Sequence, residues 1–232
     1  MSPERTRQHF SEELARVEKQ GLGGLDLVTQ QIDRVLEALE HQDVELAAMI
    51  IGNDDLIDGR YLEVHQELLS LFALQAPVAG DLRVVAALLH VMKNIERMGD
   101  QCVNIAKTIP LTGHEPPVRE EVLERILRMG RAARTEVTQS KTAFATRDVE
   151  LAEDLVRQDE TINALNREIF QLAIDIGTDP DTREWGMHMI MVARAFERIG
   201  DNAVDVGEQT AFVVTGLFRE FSDSSHPRIA PR

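Results

Sequence analysis

NIERMGDQCVNIA (Asn94–Ala106) and AFERIGDNAVDVG (Ala195–Gly207) are two spellings of one segment. Glu-Arg-Met/Ile-Gly-Asp stands at 96–100 and again at 197–201. Each copy has a Glu and an Asp four residues apart, with a third oxygen-bearing residue, Asn104 or Asp205, four further on. At that spacing all three lie along one side of a helix, a turn apart.

The surrounding periodicity is helical on both sides of each copy. A helix is expected from about Leu82 to Ile109, with Val85, Leu89, Met92, Gly99 and Val103 as its apolar stripe. On a helical wheel Glu96 falls inside that stripe, and Asp100 and Asn104 follow its margin. In the second copy Glu197 shares a sector with Ile190, Ala193 and Val204, while Asp201 and Asp205 run along one edge. Carboxylates beside a packing stripe are costly unless paired or coordinated. Two readings stay open. Arg97 and Arg198, or a neighbouring helix, neutralise the acids; or the acids bind a cation. Rows of oxygen donors suit iron, manganese, magnesium or calcium, and zinc less well.

Outward from the motif the whole chain repeats. Helices are expected over 10–40, 44–74 and 82–109, and again over 118–145, 149–176 and 183–221. Pro-rich PLTGHEPP (110–117) divides the two sets, and QAPVAGD (75–81) and GTDPDT (177–182) interrupt them. DVELA occurs at 43–47 and at 148–152, a shift of 105 that also lays Asp54 on Asp159, Ile57 on Ile162 and Glu63 on Glu168. The fold expectation is all-α: two tandem, duplicated three-helix bundles, elongated, with units at 1–112 and 113–222 and a disordered tail at 223–232. Asp43 is the expected N-cap of the second helix. Gly21, Gly23 and Gly24 lie inside the first helical pattern, as a kink or a close approach.

In an antiparallel bundle the second helix faces the motif helix. Asp54 and Asp58, with their counterparts Asp159 and Asn163, lie at matching depth and complete the candidate ligand sets: Glu96, Asp100, Asp54 and Asp58; Glu197, Asp201, Asp159 and Asn163. Glu63 and Glu168, two turns on, read equally well as solvated acids.

Composition narrows the function classes. A net charge of −15 from 40 acidic and 25 basic side chains repels phosphate backbones, so no direct nucleic-acid binding is expected. The single cysteine, Cys102, excludes an internal disulfide and suits a reducing compartment. The N-terminus has no apolar signal core, so the expected location is cytoplasmic. The seven histidines are scattered, no Glu-x-x-His occurs, and no phosphate-cradling glycine loop follows a strand. No nucleophile–base pair is legible, so the chain is not expected to be an enzyme. Metal storage, or a metal-dependent enzyme using the paired carboxylates, is the alternative.

QAPVAGDLR (Gln75–Arg83) with the two Glu-Arg-x-Gly-Asp segments closely resembles the PhoU family across about residues 5–220. The resemblance implies a cytoplasmic, non-catalytic, dimeric negative regulator of phosphate uptake and of the phosphate regulon. It implies as partners the ATPase subunit of the phosphate ABC transporter and a sensor histidine kinase, with the membrane reached only through them. It further implies a multinuclear metal cluster of iron or zinc, Mg or Mn being the other options, on the acid pairs named above. Asn163 departs from the family's carboxylate, and Asp205 differs from Asn104. The resemblance therefore does not imply equal occupancy of the two halves.

Overall fold

The computed structural model describes residues 3–74, 79–113 and 118–221, and every regular element among them is helical. The elements run α1 (Pro3–His41), α2 (Val44–Gly52), α3 (Asp55–Leu74), α4 (Ala79–Thr108), a 3-10 turn (Ile109–Thr112), α5 (Glu120–Thr146), α6 (Val149–Ile174) and α7 (Pro180–Thr215). The expected disordered tail, 223–232, and parts of two Pro-containing loops, 75–78 and 114–117, lie outside the described residues. At 39 residues α1 is roughly 60 Å long at 1.5 Å per residue, which makes the bundle elongated.

The duplication is visible at the level of single hydrogen bonds. Gln42 and Arg147 both leave their helices in the left-handed region, at φ 52 and 60. The next residue then closes the helix end: Asp43 N–H donates to Ala38 O at 2.9 Å, and Asp148 N–H to Ala143 O at 3.0 Å. The same two aspartates cap α2 and α6. Asp43 Oδ1 accepts from Leu46 N–H at 2.8 Å, and Asp148 Oδ1 from Leu151 N–H at 2.9 Å. The shift of 105 is therefore structural, and it carries α1 onto α5 as well.

The halves differ where their sequences differ. The expected unbroken helix over 44–74 is two helices, separated at Asn53–Asp54. Gly52 and Asn53, both weak helix formers, stand where α6 has Arg157 and Gln158 and runs through. The last helix stops at Thr215 instead of the expected Phe221, because Gly216 turns left-handed at φ 75 and its N–H closes on Phe212 O. Beyond it, Phe218 stacks on Phe212 with ring centroids 3.9 Å apart.

One continuous apolar core joins the two bundles. α4 packs along α7 and α1 along α5. At the seam Leu36 of α1 and Phe196 of α7 both press on Gly130 of α5, 2.5 and 2.8 Å from its missing Cβ position. Each fully buried Leu, Ile or Phe of such a core contributes about 1.5–3 kcal/mol. Cys102 is buried in it, and burial pushes its thiol up to about 12, so it packs without reacting. Among the described residues, no helix is long and apolar enough to cross a membrane.

Candidate functional site

In the second bundle α5, α6 and α7 bring their acids inward. Asp159 and Asn163 of α6 and Glu197 of α7 are buried, and Asp201 is half-buried one turn on. Asn163 Nδ2 donates to Asp159 Oδ2 at 2.7 Å. A third helix adds a residue that no motif announces, Glu136 of α5, which is 0% exposed. Neither of its carboxylate oxygens has a hydrogen-bond partner. Burial first, then the Asp159 and Asp201 charges, push its carboxyl up to about 9. Gly200 makes room for the convergence: a Cβ there would lie 2.8 Å from Asp159 Oδ1 and 3.0 Å from Glu136 Oε2.

The first bundle arranges the corresponding residues in the open. Asp54 is half-buried, while Asp58 and Asp100 are exposed. Partial burial, then repulsion from Asp58 and Asp100, raises the Asp54 carboxyl. Partial burial, then Glu96 and Asp58, raises that of Asp100. Asp54, in the turn between α2 and α3 and not on a helix as expected, and Asp58 of α3 thus sense Asp100 of α4 across the bundle. Above Gly99 stands Ile57, with Cδ1 2.9 Å from the missing Cβ, and no acid intrudes. The position equivalent to Glu136 is Gln31, buried, with an unpartnered Oε1.

The motif glutamates have counter-charges other than the arginines expected. Lys93 Nζ donates to Glu96 Oε2 at 2.7 Å, and Arg194 pairs with Glu197 Oε2 in the equivalent position. Both cations stand three residues earlier, facing back along the same turn. Arg97 and Arg198 are exposed and line a groove of about 520 Å³ between α4 and α7, together with Asp201, Asp205 and Glu208. Glu63 and Glu168 form outward ion pairs, with Arg60 at 3.7 Å and Arg125 at 3.0 Å.

These donors fit a hard cation unevenly. Among the described residues, no group of three or more His, Cys, Asp or Glu side chains is placed so that it could hold a metal ion. The second bundle nevertheless offers all-oxygen donors, a buried carboxylate without a hydrogen-bond donor, and a glycine that clears the space between helices. The first offers a solvated acidic surface. Glu136 escaped the motif because no repeated word surrounds it. Its signal is phase: it shares the stripe of Met129, Ala133 and Ser140, all buried.

The family model described as "PhoU domain" matches the chain twice, over residues 25–109 and 126–210. A phosphate-specific transport system accessory protein PhoU homolog of Aquifex aeolicus is 33% identical over 187 residues, 80% of this chain and 84% of the relative. Its counterpart in Clostridium acetobutylicum is 29% identical over 94% of this chain and all of the relative. The crystal structure of the phosphate transport system regulatory protein PhoU from Streptococcus pneumoniae superimposes with a TM-score of 0.81 at 28% identity, covering 91% of this chain and 99% of that one. PhoU from Pseudomonas aeruginosa gives 0.80 at 26% identity, over 90% and 100%.

Proposed function

Because the chain belongs to the PhoU family, we propose that it is a non-catalytic regulator of phosphate homeostasis that restrains high-affinity phosphate uptake and the phosphate regulon. It does so by linking the ATPase subunit of a phosphate ABC transporter to a sensor histidine kinase. The observation that carries this reading is the extent of the match. Both repeats fit the family, and a solved regulatory PhoU superimposes over nine-tenths of the chain. The matched relatives are named as accessory and regulatory proteins, so metal storage or metal-dependent catalysis is not favoured.

The protein acts in the cytoplasm, as a homodimer, and reaches the membrane through its partners. Its charge of −15 favours a basic docking face and speeds the encounter with one. The long helices of both bundles share one continuous core, which suits an adaptor holding two partners in fixed relation.

The acid pairs hold cations: Glu96, Asp100, Asp54 and Asp58 in the first bundle, Glu197, Asp201, Asp159 and Asn163 in the second. Iron or zinc is the metal that the family resemblance implies, and Mg or Mn are the candidates that all-oxygen donors suit. A bound cation would supply the positive charge that the acids lack. The protein's own part is to present oxygens from facing helices and, in the second bundle, to keep water away from them.

The test is deletion of the gene, with phosphate-responsive expression and phosphate uptake followed in replete and starved cells. Loss of repression and excess uptake in replete cells are expected. Identical behaviour of the two strains in both media would end the regulatory reading.

A further inference from the structure

Resting on the cation-binding reading above, we propose that Glu136 of α5, outside both motifs, is a further ligand that makes the second bundle the tighter of two unequal cation sites. The duplication itself points to the residue. The second bundle has Asn163 where the first has Asp58, and Glu136 where the first has Gln31. Each bundle thus carries four carboxylates and one carboxamide in corresponding places: Gln31, Asp54, Asp58, Glu96 and Asp100 against Glu136, Asp159, Asn163, Glu197 and Asp201. The charge count is the same. One carboxylate has moved from the solvent face of α3 to the inner face of α5.

That relocation changes the chemistry. Glu136 is 0% exposed, both of its oxygens lack a hydrogen-bond partner, and Oε2 converges with Asp159 Oδ1 over Gly200. A buried carboxylate without a donor must take up a proton or a cation. A bound cation would supply the positive charge that these converging oxygens lack. Gln31, a neutral amide, has only a carbonyl oxygen to offer. Asp58 and Asp100 in the first bundle are exposed, so water competes with any cation there. An anionic oxygen in a dry site outbids one at an open surface.

The test uses the full chain, stripped with chelator and titrated with Mn²⁺, followed by electron paramagnetic resonance and calorimetry. The expected result is two classes of site in the wild type. Glu136→Gln weakens the tighter class by about tenfold or more and leaves the weaker class unchanged. Gln31→Glu, made in the other bundle, tightens the weaker class. Thermal melts of the stripped variants verify folding. Should Glu136→Gln not fold, Glu136→Asp keeps a carboxylate and is expected to retain the tighter class with altered affinity. An isotherm unchanged by Glu136→Gln overturns the role of Glu136 while leaving the motif acids as ligands. A wild type that takes up no Mn²⁺, Fe²⁺ or Zn²⁺ overturns the cation reading as well.

Discussion

Glu136 Oε2 and Asp159 Oδ1 converge on one point of the second bundle, 3.0 and 2.8 Å from where a Cβ of residue 200 would stand. A side chain at 200 must therefore displace two buried acids or part α7 from α5 and α6. Gly200→Ala is expected to cost about 1–3 kcal/mol, despite the better helix propensity of Ala. Gly23→Ala in α1, where nothing lies within 4 Å of the added methyl, is expected to gain about 0.5–1 kcal/mol. Urea denaturation of both variants checks the contrast. Equal shifts would mean that the acids do not crowd the glycine.

Stability of the cation-free protein is expected to fall with rising pH. The Glu136 carboxyl keeps its proton in the folded chain up to about 9, whereas its ordinary value is 4.5. Between those values the folded state binds more protons than the unfolded one. The stabilisation is complete below the lower value and is lost as pH rises toward the upper. Raised Asp54 and Asp100 carboxyls act in the same direction. The slope from one such group is at most about 1.4 kcal/mol per pH unit, and Glu136→Gln is expected to flatten it. Melting curves of stripped wild type and variant from mildly acid to alkaline pH decide the matter.

The fold was legible because its signals are local and repeated. The Asp43 cap, the doubled DVELA and the twin Glu-Arg-x-Gly-Asp segments fix the helix order and the duplication without any long-range information. The site was legible only along single helices. Glu96 and Glu197 announced themselves as acids on apolar stripes, but their partners Lys93 and Arg194 depend on side-chain direction, which spacing alone does not settle. Glu136 depends on how α5 rotates against α6 and α7. That rotation is set by Leu36 and Phe196 closing over Gly130, contacts between residues far apart in the chain.

The break between α2 and α3 yields a separate prediction. The turn at Asn53–Asp54 is held by short-range bonds, Leu56 N–H to Asn53 O at 3.2 Å and Ile57 N–H to Asp54 O at 3.0 Å. Gly52→Arg with Asn53→Gln installs the residues that α6 has at 157 and 158. Removing the glycine alone is worth about 1 kcal/mol of helix propensity. Slower amide hydrogen exchange across residues 52–57 is expected, with the rest of the chain unchanged. Exchange as fast as in the wild type would show that the break is imposed by packing on α4 and not by the two residues.

Cation loading tests the site through stability. A ligand that binds only the folded chain stabilises it by about 2.7 kcal/mol at a hundredfold excess over its Kd. For a domain of this size that corresponds to a rise in Tm of roughly 5–10 °C. Adding back Mn²⁺ to stripped protein is expected to produce such a rise. Asp159→Ala removes a buried acid of the second site and is expected to abolish most of it. Asp58→Ala, at an exposed position of the first, is expected to remove only a small part. The reverse order, with Asp58→Ala the more damaging, would show that open solvation at the first bundle matters less than the larger cost of prising a buried proton and amide from the second.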